Sequence, residues 1–157
     1  MNVEYINPFI EASQSVLAMM TGNKPELGKV YIRKSPFASD NVAVIVGLTG
    51  TIRGQVIISL NKDSAIAVAS AMMGGMPITE LDDISKSAIA ELANMIMGNT
   101  ATILAAKGTG IEITPPSLLM GDNLTIAPSN METVSIPLKL WNDNTMEIDV
   151  SLETKKA

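Results

Sequence analysis

The sequence contains no cysteine and no histidine. Without thiols it can build no disulfide framework, no thiol nucleophile and no thiolate metal site. Without imidazole it has no histidine base or ligand, which removes the usual catalytic triads and most zinc chemistry. Aromatics are scarce, with two Phe, two Tyr and one Trp in 157 residues. The core must therefore come from aliphatic side chains and from the 11 Met, which pack adaptably but specify shape less sharply.

Basic clusters are missing too. The net charge is −5 and the few Lys and Arg are dispersed, Lys155-Lys156 reading as a solvated tail, so neither nucleic acid nor an anionic membrane has electrostatic support as a partner. No run reaches the roughly 20 unbroken apolar residues of a membrane span. Met1 to Tyr5 lacks the basic start of a signal peptide, and Glu11 and Gln14 interrupt the apolar residues after it. The expectation is a cytoplasmic protein. At 46% hydrophobic content the chain can bury one good core, so residues 1–157 are read as a single domain.

In chain order, Asn7 can cap a helix with Pro8 at its first position and a stop at Gly22. Three runs rich in Val and Ile come next at 29–34, 42–48 and 52–60, separated by turn residues, and predict an antiparallel meander. Asp63 or Asn61 can cap a helix over 64–73, ended by Gly74-Gly75 and Pro77. A long helix runs from Asp82 or Asp83 to about Lys107, where Gly108 and Gly110 stop it. After the extended linker Thr114-Pro115-Pro116-Ser117 come strands near 124–127, 132–140 and 145–152, the last two joined by the turn Asn142-Asp143-Asn144. The order reads as a doubling. The expected fold is α+β in two layers, a pseudo-twofold repeat of helix plus three strands with long helices packed on an antiparallel sheet.

The long helix holds the most informative pattern. Ile84, Ala88, Leu92, Met95, Ile96, Asn99 and Ile103 fall on one broad side, the predicted core face. Beside it Ser87, Glu91, Asn94 and Gly98 share an arc of about 60°. Glu91 can accept hydrogen bonds or pair with a cation, and Asn94 can donate and accept at once, which suits it to holding a water. Ser87 and Gly98 are small enough to let another surface approach. A solvated Glu and Asn on a helix are also common, so spacing alone leaves the stripe open between docking and plain solvation. A faint echo, Glu11-xx-Gln14-xxx-Ala18, lies in the first helix and is not read as catalytic.

Other features have simpler readings. Met72, Met73 and Met76 suit core or loop packing. Gly74-Gly75 lacks the strand and the Lys of a phosphate loop. Asp82-Asp83 and Asp122-Asn123 lack calcium-loop spacing and read as caps and turns.

The pattern Ser87-xxx-Glu91-xx-Asn94-xxx-Gly98 resembles the signature helix of the CheC/CheX/FliY chemotaxis phosphatases. The stretch from Gly54 to Ala65, followed by Met72-Met73-Gly74, looks like that family's strand into short helix, and Asn7-Pro8-Phe9-Ile10 looks like its first helix. A single signature helix in so short a chain favours the CheX branch over CheC, which carries two. The resemblance implies hydrolysis of the aspartyl phosphate on a phosphorylated CheY-like response regulator. Asn94 would orient the attacking water, Glu91 would pair with the regulator's active-site lysine, and Ser87 and Gly98 would edge the contact. It implies no cofactor on this chain, magnesium in the partner's active site, and a homodimer, for which the apolar runs 42–48 and 52–60 could extend a sheet between subunits. The alternative is a non-catalytic phospho-receiver adaptor or flagellar-switch-type module. An enzyme acting on a small phosphorylated metabolite would need cations that the stripe does not carry.

Overall fold

The computed structural model describes residues 2–128 and 131–153, which contain three helices and ten strands. Lys155-Lys156 lies outside the described residues. Helix α1 (Val3–Thr21) begins where Asn2 Oδ1 accepts the Glu4 N–H at 2.9 Å, and ends at Gly22, whose φ of 75° suits glycine. The start expected at Asn7-Pro8 is therefore too late. Asn2 offers the same cap chemistry earlier, and Pro8 is buried inside the helix, where its missing N–H deprives the Glu4 carbonyl of a donor.

Helix α2 (Lys62–Met72) is capped by Asn61, which accepts the Ser64 N–H at 2.8 Å. Helix α3 (Asp83–Ala106) is capped by Asp82, whose Oδ1 accepts both the Ser85 hydroxyl at 2.7 Å and the Ser85 N–H at 2.8 Å. Those two bonds hold the Asp82 carboxyl below the usual carboxylate range. Gly108, at φ 84°, follows the end of α3.

The strands are β1 (Glu26–Leu27), β2 (Tyr31–Arg33), β3 (Phe37–Ala38), β4 (Val42–Gly50), β5 (Gly54–Leu60), β6 (Ile111–Ile113), β7 (Ser117–Met120), β8 (Thr125–Ile126), β9 (Met131–Lys139) and β10 (Thr145–Glu153). All pairings are antiparallel. The main sheet runs β1-β9-β10-β5-β4-β6, with β2 also on β9 and β7 also on β4, while β3 and β8 pair apart. The β9–β10 turn places Asn142 and Asp143 at φ 51° and 62°, as a type I′ turn requires.

This order is a true doubling, α1-β1-β2-β3-β4-β5 matching α3-β6-β7-β8-β9-β10. The pairing of Leu27 with Leu138 is mirrored by Ile113 with Leu48, and the bond from Gly28 N–H to Pro137 O by that from Thr114 N–H to Gly47 O. The repeat thus holds five strands per half where three were expected, because the short edge strands carry too few residues to show alternation. The halves also interlock. The 29–34 run does not join a meander with β4: its strand β2 crosses to β9, while β6 and β7 cross to β4. Strands β4 and β5 are consequently flanked on both sides, and the runs expected to extend a sheet between subunits have no free edge.

One side of the sheet packs under the helices. Val42, Val44, Val46, Leu48, Val56, Ile58, Leu60, Ile136, Leu138, Ile148 and Val150 join Phe9, Val16, Leu17, Leu92, Ile96 and Met97 in one buried cluster. Fully burying such a side chain contributes roughly 1.5–3 kcal/mol. The inward side of α3 is Ser85, Ile89, Leu92, Ala93, Ile96, Met97, Thr100 and Leu104. It is turned about a quarter revolution from the predicted core face, at roughly 100° per residue. Ile84 is 69% exposed, and of the expected set only Leu92 and Ile96 are buried. The length and composition of α3 would also suit a membrane span, but this buried side is packed on α1, α2 and the sheet.

The other side of the sheet splits in character. Phe37, Ala43, Ile57 and Ile126 form a small apolar cluster. Beside it Thr133, Ser135, Asp149 and Ser151 are buried and hydrogen-bonded among themselves, Ser135 donating to Asp149 at 2.6 Å. Arg33 reaches over from β2 to lie 3.0 Å from Glu147 and 3.5 Å from Asp149. Burial, reinforced by the neighbouring Glu147, pushes the Asp149 carboxyl up to about 7 against the opposing Ser135 and Arg33.

Candidate functional site

Ser87, Glu91, Asn94 and Gly98 lie on the side of α3 almost diametrically opposite its buried residues, since at about 100° per residue the two sets are separated by roughly 160°. Ser87 and Glu91 are exposed, and Asn94 and Gly98 are half-buried. The structure thus brings all four together on one accessible stripe. Asp82 starts the helix and the Ile89, Leu92 and Ile96 side anchors it, so the stripe is aimed by the core.

None of the Ser87, Glu91 and Asn94 side chains takes part in a hydrogen bond or ion pair among the described residues. That is notable for Asn94, whose amide offers two donors and two acceptor lone pairs. Gly98 adds a second anomaly. It sits inside a helix, where glycine costs about 1 kcal/mol relative to alanine, yet a Cβ there would meet nothing within 4 Å. Packing within the chain therefore gives no reason for the missing side chain.

The stripe forms one wall of an open groove of about 500 Å³ lined by Ser87, Ala90, Glu91, Asn94, Ile113, Thr114, Pro115 and Pro116. The opposite wall is the segment read from sequence as a linker. Between the pairings Ile113–Leu48 and Ser117–Ile45, Thr114 stands against Gly47, and both Pro115 and Pro116 stand against Val46 alone. Two residues against one make a β-bulge, where edge prolines are tolerated. Thr114 fixes it twice, its N–H donating to Gly47 O at 3.0 Å and its Oγ1 accepting the Gly47 N–H at 2.8 Å. Sequence reading missed this wall; the Pro-Pro pair after an apolar run was the available signal.

The doubling builds a second groove, of about 490 Å³, on α1. It is lined by Asn7, Ile10, Glu11, Gln14, Ser15, Ala18 and Lys24. Here Gln14 Nε2 lies 3.5 Å from the Pro25 carbonyl, so its amide is engaged within the chain where that of Asn94 is free.

Chemically, the α3 stripe presents one carboxylate and one free carboxamide but no cation, and among the described residues no group of three or more His, Cys, Asp or Glu could hold a metal. Such a surface can complete a site on another molecule that supplies its own electrophile and cations.

This interlocked antiparallel α+β fold is that of the chemotaxis phosphatases, which are phosphoprotein phosphatases. Within that class the chain belongs to the CheX family, whose model, described as chemotaxis phosphatase CheX, matches residues 42–139. The crystal structure of the chemotaxis protein CheX from Desulfovibrio desulfuricans is similar with a TM-score of 0.85 and 33% identity, over 96% of this chain and 99% of that one. The CheX-CheY-BeF3-Mg2+ complex from Borrelia burgdorferi is similar at 32% identity and a TM-score of 0.82, over 98% of this chain and 100% of that one. The CheY-P phosphatase CheX of Thermotoga maritima is 29% identical over 154 residues, 98% of this chain and 99% of that protein.

Proposed function

We propose that this chain, acting as one domain over residues 1–157, hydrolyses the aspartyl phosphate of a phosphorylated CheY-like response regulator. The observation that carries the reading is the unengaged Asn94 carboxamide beside Glu91 on the solvent side of α3. Acyl phosphates are already reactive, and phosphoryl transfer depends mainly on positioning and charge neutralisation. Asn94 enters the regulator's site and holds a water in line with phosphorus, its Oδ1 accepting from that water and its Nδ2 donating to a phosphoryl or water oxygen. The water oxygen bonds to phosphorus as the bond from phosphorus to the aspartyl oxygen breaks. Inorganic phosphate and a free carboxylate leave, and the water's proton passes to phosphate or solvent.

Glu91 pairs with the regulator's active-site lysine and fixes the register of docking, while Ser87 and Gly98 keep the flanks low. Magnesium resides in the regulator, as suits a groove that carries a single carboxylate. The groove lining also lacks Lys and Arg, which favours a protein substrate over a small free phosphate ester. The protein acts in the cytoplasm, where such regulators work, and as a homodimer, a state that sedimentation measures directly.

The test is the decay of a phosphorylated CheY-like receiver with magnesium, comparing the native chain, Asn94→Ala and Glu91→Ala. Native protein should shorten the lifetime. Asn94→Ala should lose turnover by about a hundredfold while still binding, and Glu91→Ala should weaken binding and rate together. Binding without any change of lifetime would instead make the protein an adaptor.

A further inference from the structure

The Thr114-Pro115-Pro116 bulge faces the stripe across the groove and is tied to β4 through Thr114. Proline has no N–H, so Pro115 and Pro116 offer a partner ring surfaces and carbonyls but no backbone donor. The groove therefore has two unlike sides, one polar and chemically active, one apolar and fixed in shape.

How that side is fixed is visible at Gly47. Its N–H and C=O both bond to Thr114, and a Cβ on Gly47 would lie 3.0 Å from Thr114 Cγ2 and 3.2 Å from Thr114 Oγ1. The threonine fits directly over a bare glycine. In the first repeat the corresponding bulge is Gly28-Lys29-Val30 against β9, since Gly28 bonds Pro137 and Tyr31 pairs with Ser135. It has no hydroxyl anchor and no prolines, and the α1 groove is lined by Lys24 instead of its bulge. Of two copies of one architecture, the one with the free carboxamide is also the one with the anchored Pro-Pro wall.

We infer that Pro115 and Pro116, anchored through Thr114 on Gly47, form a specificity wall that sets how a phosphorylated receiver seats against Glu91 and Asn94. The wall meets the rim of the receiver's active site by shape and apolar contact and rejects receivers whose rim is charged or protruding there. Thr114 is a positioning residue acting through the bulge. This inference rests on the phosphatase reading above and extends it to two positions of contact and one of support.

The experiment measures steady-state dephosphorylation of one receiver that the native chain accepts, using Thr114→Val, Thr114→Ser and the double change Pro115→Lys with Pro116→Val, which installs the first repeat's bulge residues. Thr114→Val removes the bond from the Gly47 N–H and the longer one, 3.4 Å, that the Thr114 hydroxyl donates to the Pro115 carbonyl, and should raise KM about three- to tenfold with kcat nearly unchanged. Thr114→Ser, which keeps the acceptor, should restore the native KM. The double change should raise KM by at least as much and alter the ranking of alternative receivers, while circular dichroism melts confirm a folded protein. Native KM in both Thr114→Val and the double variant would overturn the wall, as would equal damage by Thr114→Ser and Thr114→Val. Failure of the native chain itself to shorten any receiver's lifetime would instead count against the phosphatase reading.

Discussion

Replacing Gly98 with alanine sets stability against function at a single atom. The added methyl would meet nothing within 4 Å, and Gly98 lies inside α3 with its carbonyl already accepting the Thr102 hydroxyl at 3.1 Å. Removing glycine's excess backbone freedom should therefore stabilise the chain by about 0.5–1 kcal/mol. For a chain of this size 1 kcal/mol shifts Tm by about 2–4 °C, so a rise of roughly 1–4 °C is expected. The same methyl would stand on the proposed docking surface. Overpacking a close contact typically costs about 1–3 kcal/mol, which is a loss of roughly five- to 150-fold in kcat/KM. Thermal melts and receiver dephosphorylation on the same preparation give both numbers. A lowered Tm would contradict the open space above Gly98. A raised Tm with native turnover would show that no surface approaches it, and the docking geometry would have to be abandoned.

Three further outcomes test the fold beneath the site. Ile89→Ala should cost about 2–5 kcal/mol in denaturant unfolding, and Ile84→Ala less than about 0.5 kcal/mol; equal losses would return the core face to the side first expected. Asp82→Ala should cost about 1 kcal/mol through lost capping of α3, with Asp82→Ser recovering most of it. Asp149 is held at about 7 in the folded state against an ordinary value of 3.8. The folded protein therefore binds the extra proton more tightly, and this group's contribution is most favourable below 3.8 and declines as pH rises to about 7. The Tm difference between native protein and Asp149→Asn should follow that decline between pH 4 and 8, and a flat or rising difference would refute the assignment.

Much of the architecture was legible because it rests on local chemistry. Asp82, Asn61 and Gly22 mark element ends through hydrogen bonds that short sequence windows contain. The β4, β5, β9 and β10 runs announce themselves by Val and Ile. What escaped was set by distant partners. Nothing near Tyr31 says that its strand will lie on β9, because that choice depends on the other repeat. The facing of α3 was misjudged because Ala and Met spread around the helix leave its apolar side broad, and contact with α1 and the sheet selects the orientation. The stripe was legible as a set, since spacing alone keeps Ser87, Glu91, Asn94 and Gly98 aligned. The groove was not, because its far wall lies about 20 residues downstream and is brought near by pairing with β4.

The exchange of edge strands between the halves also has a temporal consequence. Strand β10 occupies the middle of the sheet between β9 and β5, although it is the last described strand to be synthesised. A nascent chain that has emerged only through α3 holds β4 without its edge strands and β5 without one neighbour, and β1 and β2 have nothing to pair with. The first half is thus no independent folding unit, and non-local pairing of this kind makes folding slow and leaves strand edges open meanwhile. Helix α3 is complete on the ribosome well before the sheet that aims it, so phosphatase activity should arise only after β10 is released and inserted.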